Sequence, residues 1–153
     1  MPQGFTKLFA DRLNDICDLE VIEAKDNDMV VPGRVLIAPG NKHMVVSGNS
    51  RICKVNILDT EPVNRHRPSV DVLFNSVATI AKNKATGILL TGMGADGAKG
   101  LLAMKNAGAH TVVQDKDSSI VYGMPYQAFL LNAHDKELPL SDIPDYLISL
   151  FQK

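Results

Sequence analysis

Thr91-Gly92-Met93-Gly94-Ala95-Asp96-Gly97-Ala98-Lys99-Gly100 is the stretch best equipped for chemistry. It follows the apolar run Ile88-Leu89-Leu90 and precedes Leu101, Leu102 and Met104, which can share a helical face. This reads as a strand, a glycine-rich turn and a helix start. In an open α/β sheet such a junction lies at the carboxyl end of a strand, where ligands bind. Three chemistries are open to it. Gly92, Gly94 and Gly97 spell G-x-G-x-x-G, with Asp115 placed to hold a ribose, as in a dinucleotide site. However, the Asp96 carboxylate would repel the pyrophosphate that such a turn receives on its N–H groups. Alternatively, Asp96 is an ordinary helix N-cap, since an anion suits a helix N-terminus. Capping, though, needs one special residue and not four glycines. In the third reading Asp96 is the acid of a Ser-His-Asp set, fixing an imidazole tautomer, while a turn N–H serves an oxyanion.

Other polar residues offer partial support. Arg65-His66-Arg67 precedes Ser69, a good N-cap. Cations there oppose the helix dipole, so they suggest an anionic partner, unless they are solvated or pair with Asp71 and Glu61. His43, after Pro39-Gly40, is either on a site rim or an ordinary hairpin residue. Ser47 and Ser50 fall in a hairpin turn, Ser69 at a cap, Ser76 inside a helix, and Ser118 and Ser119 in a polar loop. None occupies the small-residue, strand-to-helix elbow that exposes a nucleophile. Cys17 and Cys53 match no metal or redox spacing and read as reduced thiols of a cytosolic protein. No cofactor is expected.

These residues need a scaffold. Phe5, Leu8, Phe9, Leu13, Ile16 and Cys17 recur at helical spacing, predicting an amphipathic first helix. Leu19–Ala24 and Val35–Ala38 read as strands. Met44–Val46 and Ile52–Val55 flank a β-hairpin turn. A helix runs from Ser69 to about Lys82, with Val70, Leu73, Phe74, Val77 and Ile80 on one side. Then come the strand Gly87–Thr91, the glycine turn, a helix ending near Gly108, the strand His110–Gln114 and a short helix Tyr126–Leu131. Ser141 is placed to cap a last helix with Ile143, Leu147, Ile148 and Phe151 inward. The 153 residues suit one domain. Alternating short strands and amphipathic helices predict a doubly wound, mostly parallel α/β sheet, with helices on both faces and one antiparallel hairpin. A net charge of −1 argues against nucleic-acid binding. No signal peptide is visible, and no apolar run is long enough for membrane insertion.

Leu90-Thr91-Gly92-Met93-Gly94-Ala95-Asp96-Gly97-Ala98 resembles the catalytic-aspartate motif of the bacterial chemotaxis protein-glutamate methylesterases. Four further segments agree in order: Phe5-Thr6 with Phe9-Ala10 and Arg12-Leu13; Ile37-Ala38-Pro39-Gly40 with His43; Val63 through Asp71; and Val121-Tyr122-Gly123-Met124-Pro125. The resemblance implies a doubly wound α/β domain. It also implies hydrolysis of glutamate methyl esters on chemoreceptor helices, with release of methanol, and in many members deamidation of glutamine. Asp96 would be the catalytic aspartate, and the Met93 N–H an oxyanion donor. The alternative for Met93 is a turn methionine packed on the core. Arg65, His66, Arg67 and His43 would meet substrate, with glutamate-rich methyl-accepting receptors and a receiver domain as partners. The chemistry would be acyl transfer through a serine ester with histidine as base.

The chain departs from that pattern at one end. The family's serine lies on the first strand-to-helix turn, and its histidine directly precedes a Met-Pro matching Met1-Pro2, so both positions fall ahead of residue 1. The expectation is a truncated catalytic domain, 1–153, without its first strand and inactive alone, or a non-catalytic receptor-binding remnant. A lost central strand leaves unpaired edges and an apolar groove. Strand exchange between copies, giving a homo-oligomer, or a reorganised sheet would follow.

Overall fold

The computed structural model describes residues 1–49 and 51–151; Ser50, expected in the hairpin turn, lies outside the described residues. The elements run α1 (Phe5–Asn14), β1 (Glu20–Glu23), β2 (Arg34–Ile37), β3 (His43–Gly48), β4 (Cys53–Leu58), α2 (Val70–Ile80), β5 (Thr86–Leu89), α3 (Ala98–Asn106), β6 (His110–Gln114), α4 (Met124–Leu130), β7 (Lys136–Leu138) and α5 (Ile143–Phe151). The fold is α/β, with parallel strands, flanking helices and one antiparallel hairpin, β3–β4.

The parallel strands form two separate sheets. β1 pairs with β2, and β5, β6 and β7 pair in that order. Among the described residues, β1 therefore has one open edge, and so does β5. β6 lies between two partners and is buried from Thr111 to Gln114, as befits a parallel strand covered on both faces. β7 was not anticipated. Lys136-Glu137-Leu138 has no apolar run, and only its pairing with Val112, Val113 and Gln114 makes it a strand.

Helix α2 joins the two halves. Val70 and Phe74 pack on the core of Leu89, Leu101, Val113 and Ala128. Leu73 packs instead on the hairpin core of Met44 and Val55. The Ser76 hydroxyl accepts a hydrogen bond from Val46 N at 2.9 Å, tying helix to hairpin. Ser69 caps α2 as expected, with extended backbone and its side chain accepting from Val72 N.

Two expected faces are placed differently. α1 buries Thr6 and Ala10, while Phe5, Leu8, Phe9 and Ile16 are exposed. The Thr6 hydroxyl donates to Glu23 and accepts from Gly40 N, which turns the small-residue side of α1 onto β1 and β2. The apolar stripe beside it has no covering element among the described residues. In α5, Ile143 is buried, but Ile148 and Phe151 face solvent.

Candidate active site

The strand β5 ends at Leu89, two residues before the expected end at Thr91, and the chain around Tyr122 holds the glycine turn that follows. Thr91 N donates to the Gln114 side chain at 2.8 Å, and Met124 N donates to Gly92 O at 2.8 Å. Gly123 is required here, because a Cβ would stand 2.6 Å from Gly92 O. Gly94 and Gly97 take φ values of 93° and 95°, the left-handed region that favours glycine. Gly97 is also the N-cap of α3 and offers no side chain to it. Met93 does not pack on the core: its side chain is 81% exposed. Its backbone N–H has no hydrogen-bond partner among the described residues.

Asp96 is 6% exposed, yet it does not cap its own helix. It reaches across to the start of α2. Oδ2 accepts from Val70 N at 2.7 Å. Oδ1 accepts from the Ser69 hydroxyl at 2.7 Å, the Asn64 amide at 2.9 Å and Asp71 N at 3.3 Å. Burial works to raise its pKa, but the bonds from Asn64, Ser69, Val70 and Asp71 outweigh it and hold the carboxyl below its ordinary value. Asp96 is therefore an anion near neutral pH.

Asp71 returns the contact. Its Oδ1 accepts from Gly100 N in the first turn of α3 at 2.6 Å, and its Oδ2 accepts from the Asn64 amide at 2.8 Å. Sequence reasoning missed Asn64. Its signal was weak: an Asn-Arg pair between Val63 and His66, whose mutual backbone bonds close a tight turn. Asn64 and Arg65 both have positive φ there, 53° and 65°. Asn is well suited to this conformation.

The remaining candidate residues separate. His66 is exposed and lines a cleft of about 230 Å³ with Met1, Pro68, Val70, Met93, Asp96 and Met124. No hydrogen bond joins its ring to Asp96, and that lining contains no serine. Arg65 is exposed and has no polar partner among the described residues. Arg67 is occupied: its guanidinium donates to Asn41, to Asp59 at 3.0 Å and to Thr60 O at 2.8 Å. Its ion pair is with Asp59, not with Asp71 or Glu61.

His43, expected either at the site rim or as an ordinary hairpin residue, lies in the interior. The ring is fully buried, bonded to Glu61 O at 3.0 Å, and its Nδ1 accepts from Ser69 N at 3.1 Å. That geometry puts the hydrogen on Nε2. His43 steadies Ser69, and Ser69 steadies Asp96. Asp115, at the end of β6, accepts from the Ser118 hydroxyl and N–H.

A larger cleft of about 430 Å³ lies elsewhere, beside Glu23, Lys25, Gly40 and Lys42. It contains none of the groups just described. The smaller cleft is the better site, because it sets a stabilised carboxylate beside an unpaired backbone donor. Those are two of the elements acyl transfer requires: an acid to orient an imidazole, and an N–H for an oxyanion. Among the described residues, no cluster of His, Cys, Asp or Glu could hold a metal ion.

Comparison with known proteins agrees with this geometry. The family model described as CheB methylesterase matches residues 1–147. A protein-glutamate methylesterase/protein-glutamine glutaminase 2 of Hahella chejuensis is 53% identical over 98% of this chain and 41% of its own length. The corresponding protein of Sulfurimonas denitrificans is 52% identical over 100% of this chain and 44% of its own. The crystal structure of the Thermotoga maritima CheB methylesterase catalytic domain superposes with a TM-score of 0.93 at 38% identity, covering 98% of this chain and 79% of that one. The chain thus spans about two fifths of the length of these curated relatives. By fold, motif and match over nearly its whole length, the chain belongs to the CheB methylesterase family.

Proposed function

We propose that residues 1–153 are the acid- and oxyanion-bearing part of a protein-glutamate methylesterase catalytic domain that lacks its first strand. Its substrates would be glutamate methyl esters on methyl-accepting chemotaxis receptors, with glutamine side chains as a second substrate. The observation that carries this reading is the Asp96 carboxylate, held by four hydrogen bonds, in a residue that lines one cleft with Met93, whose N–H is unpaired among the described residues.

In this reading a serine oxygen attacks the glutamyl carbonyl while histidine takes its proton. The C–O bond to methoxide breaks, and histidine returns the proton to release methanol. Water then hydrolyses the serine ester by the same route. Asp96 holds the imidazole, and the Met93 N–H receives the oxyanion. The serine and histidine come from the segment that the family places ahead of Met1. Two features support that origin: the open edges of β1 and β5, and the apolar stripe of α1, uncovered among the described residues. A strand from a second copy is the alternative filler for those edges, and solution mass distinguishes the two.

Arg65 favours a second reading, a non-catalytic receptor-binding remnant, because it is an exposed cation without a polar partner among the described residues, next in the chain to His66, which lines the cleft. Incubation with methylated receptor tests both. Residues 1–153 joined to the preceding segment of a relative should release methanol, and residues 1–153 alone should bind receptor without turnover. If the joined polypeptide binds receptor but releases no methanol, the esterase reading is wrong and the remnant reading stands. A receiver domain as partner and a cytoplasmic location belong to the same proposal; the greater length of the relatives leaves room for such a domain. Among the described residues, no helix is long and apolar enough to cross a membrane.

A further inference from the structure

The two buried carboxylates Asp71 and Asp96 approach the same amide. Asn64 Nδ2 donates to Asp71 Oδ2 at 2.8 Å and to Asp96 Oδ1 at 2.9 Å. Its two hydrogens are thereby both used. A shared donor between two anions offsets a repulsion that would otherwise drive one to protonate or swing away. We propose that Asn64 is a positioning residue that clamps Asp96 Oδ1 to Asp71 Oδ2, leaving Asp96 Oδ2 as the oxygen presented to an imidazole. The proposal rests on the reading of Asp96 as the catalytic acid.

The bond pattern supports the assignment of the two oxygens. Oδ1 accepts three hydrogen bonds and Oδ2 accepts one, so Oδ2 keeps a free lone pair. The turn that carries Asn64 is closed by paired backbone bonds. Val63 and His66 exchange backbone bonds at 2.9 and 3.1 Å, and both central residues are left-handed. Asn64 and Arg65 are both exposed, but the Asn64 amide turns to the carboxylates while Arg65 has no polar partner among the described residues. One two-residue turn therefore joins the acid to the cation that would meet an acidic receptor segment. Around Asp96 the other titratable groups are Asp71 on α2, His66 on the turn and the Met1 amino group, which donates to Arg67 O.

Glycine accepts the left-handed backbone at position 64, so Asn64→Gly removes the clamp without straining the turn. Asn64→Asp keeps the shape but exchanges the donor for an anion. Carboxyl-carbon NMR titration of Asp96 in this chain reads the effect. The midpoint should move to higher pH in Asn64→Gly and further in Asn64→Asp, with the backbone spectrum retained. Asn132→Gly, the same change at another left-handed asparagine (φ 51°), should leave it in place. Equal Asp96 midpoints in wild type and Asn64→Gly would overturn the proposal. Should the variants not fold, the wild type still decides: the Asn64 side-chain amide resonances must shift as Asp96 titrates, and resonances that stay constant through that titration refute the clamp. None of these readings involves turnover, so failure of the clamp is separable from failure of the esterase reading.

Discussion

Asp96 and Asp71 cap each other's helices. Asp96, just ahead of α3, accepts from the first two N–H groups of α2, and Asp71, in α2, accepts from Gly100 N in α3. Each carboxylate sits at the positive end of the partner helix, and each fills a donor that a helix start leaves unpaired. The exchange fixes the glycine turn relative to α2, so the carboxylate is aimed by helix packing as well as by its own loop.

Asp71→Ala should lower stability by about 1–3 kcal/mol, because it strands the buried Gly100 N–H and one Asn64 hydrogen. Asp71→Asn keeps an acceptor and should cost less. Urea unfolding of the two variants checks the order.

Gly100→Ala tests the closeness of the two helices. A Cβ at residue 100 would stand 2.7 Å from Phe74 Cβ and 3.0 Å from Asp71 Cα. Helix propensity alone favours alanine by about 1 kcal/mol. Overpacking costs about 1–3 kcal/mol and should prevail. The thermal midpoint should fall; a rise would mean that the helices have room to separate.

Acid should weaken the fold partly through Asp96. Its folded pKa is lowered from 3.8, so its stabilisation is fully present above that value and is lost as pH falls through the folded value. Wild type should therefore lose more stability below about pH 4 than Asp96→Asn does. Denaturant titrations at pH 7 and pH 3 compare the two slopes.

The two arginines should behave oppositely. Arg67 ties Asn41, Asp59 and Thr60 together, so Arg67→Ala should cost about 1 kcal/mol of stability. Arg65→Ala should leave the melting curve in place and weaken receptor binding, with the difference shrinking at high salt. Paired melts and binding curves at two salt concentrations separate these roles.

Sequence alone reveals the elements well and their burial less well. The glycine turn, the Ser69 cap and the hairpin carry local signals: positive-φ positions, a capping hydroxyl and alternating apolar residues. β7 carries none, because its strand character comes from β6. His43 reads as a polar residue opening a hairpin, and its burial depends on Ser69 N and Glu61 O, distant in the chain. Periodicity identified α1 as amphipathic but could not tell that Thr6 and Ala10, rather than the phenylalanines, meet β1. Asp96 was legible as a carboxylate in a special turn. That it is held from α2 and by Asn64 was not, since both partners lie about 30 residues away.

Methanol release from methylated receptor by residues 1–153 joined to a relative's serine- and histidine-bearing segment tests the central claim most directly. Replacing the acid of such a triad by its amide costs about 10⁴-fold in turnover, so Asp96→Asn in a stably folded protein should lose on that order. Turnover within a few-fold of the unsubstituted enzyme would contradict the assignment of Asp96 as the carboxylate that holds the imidazole.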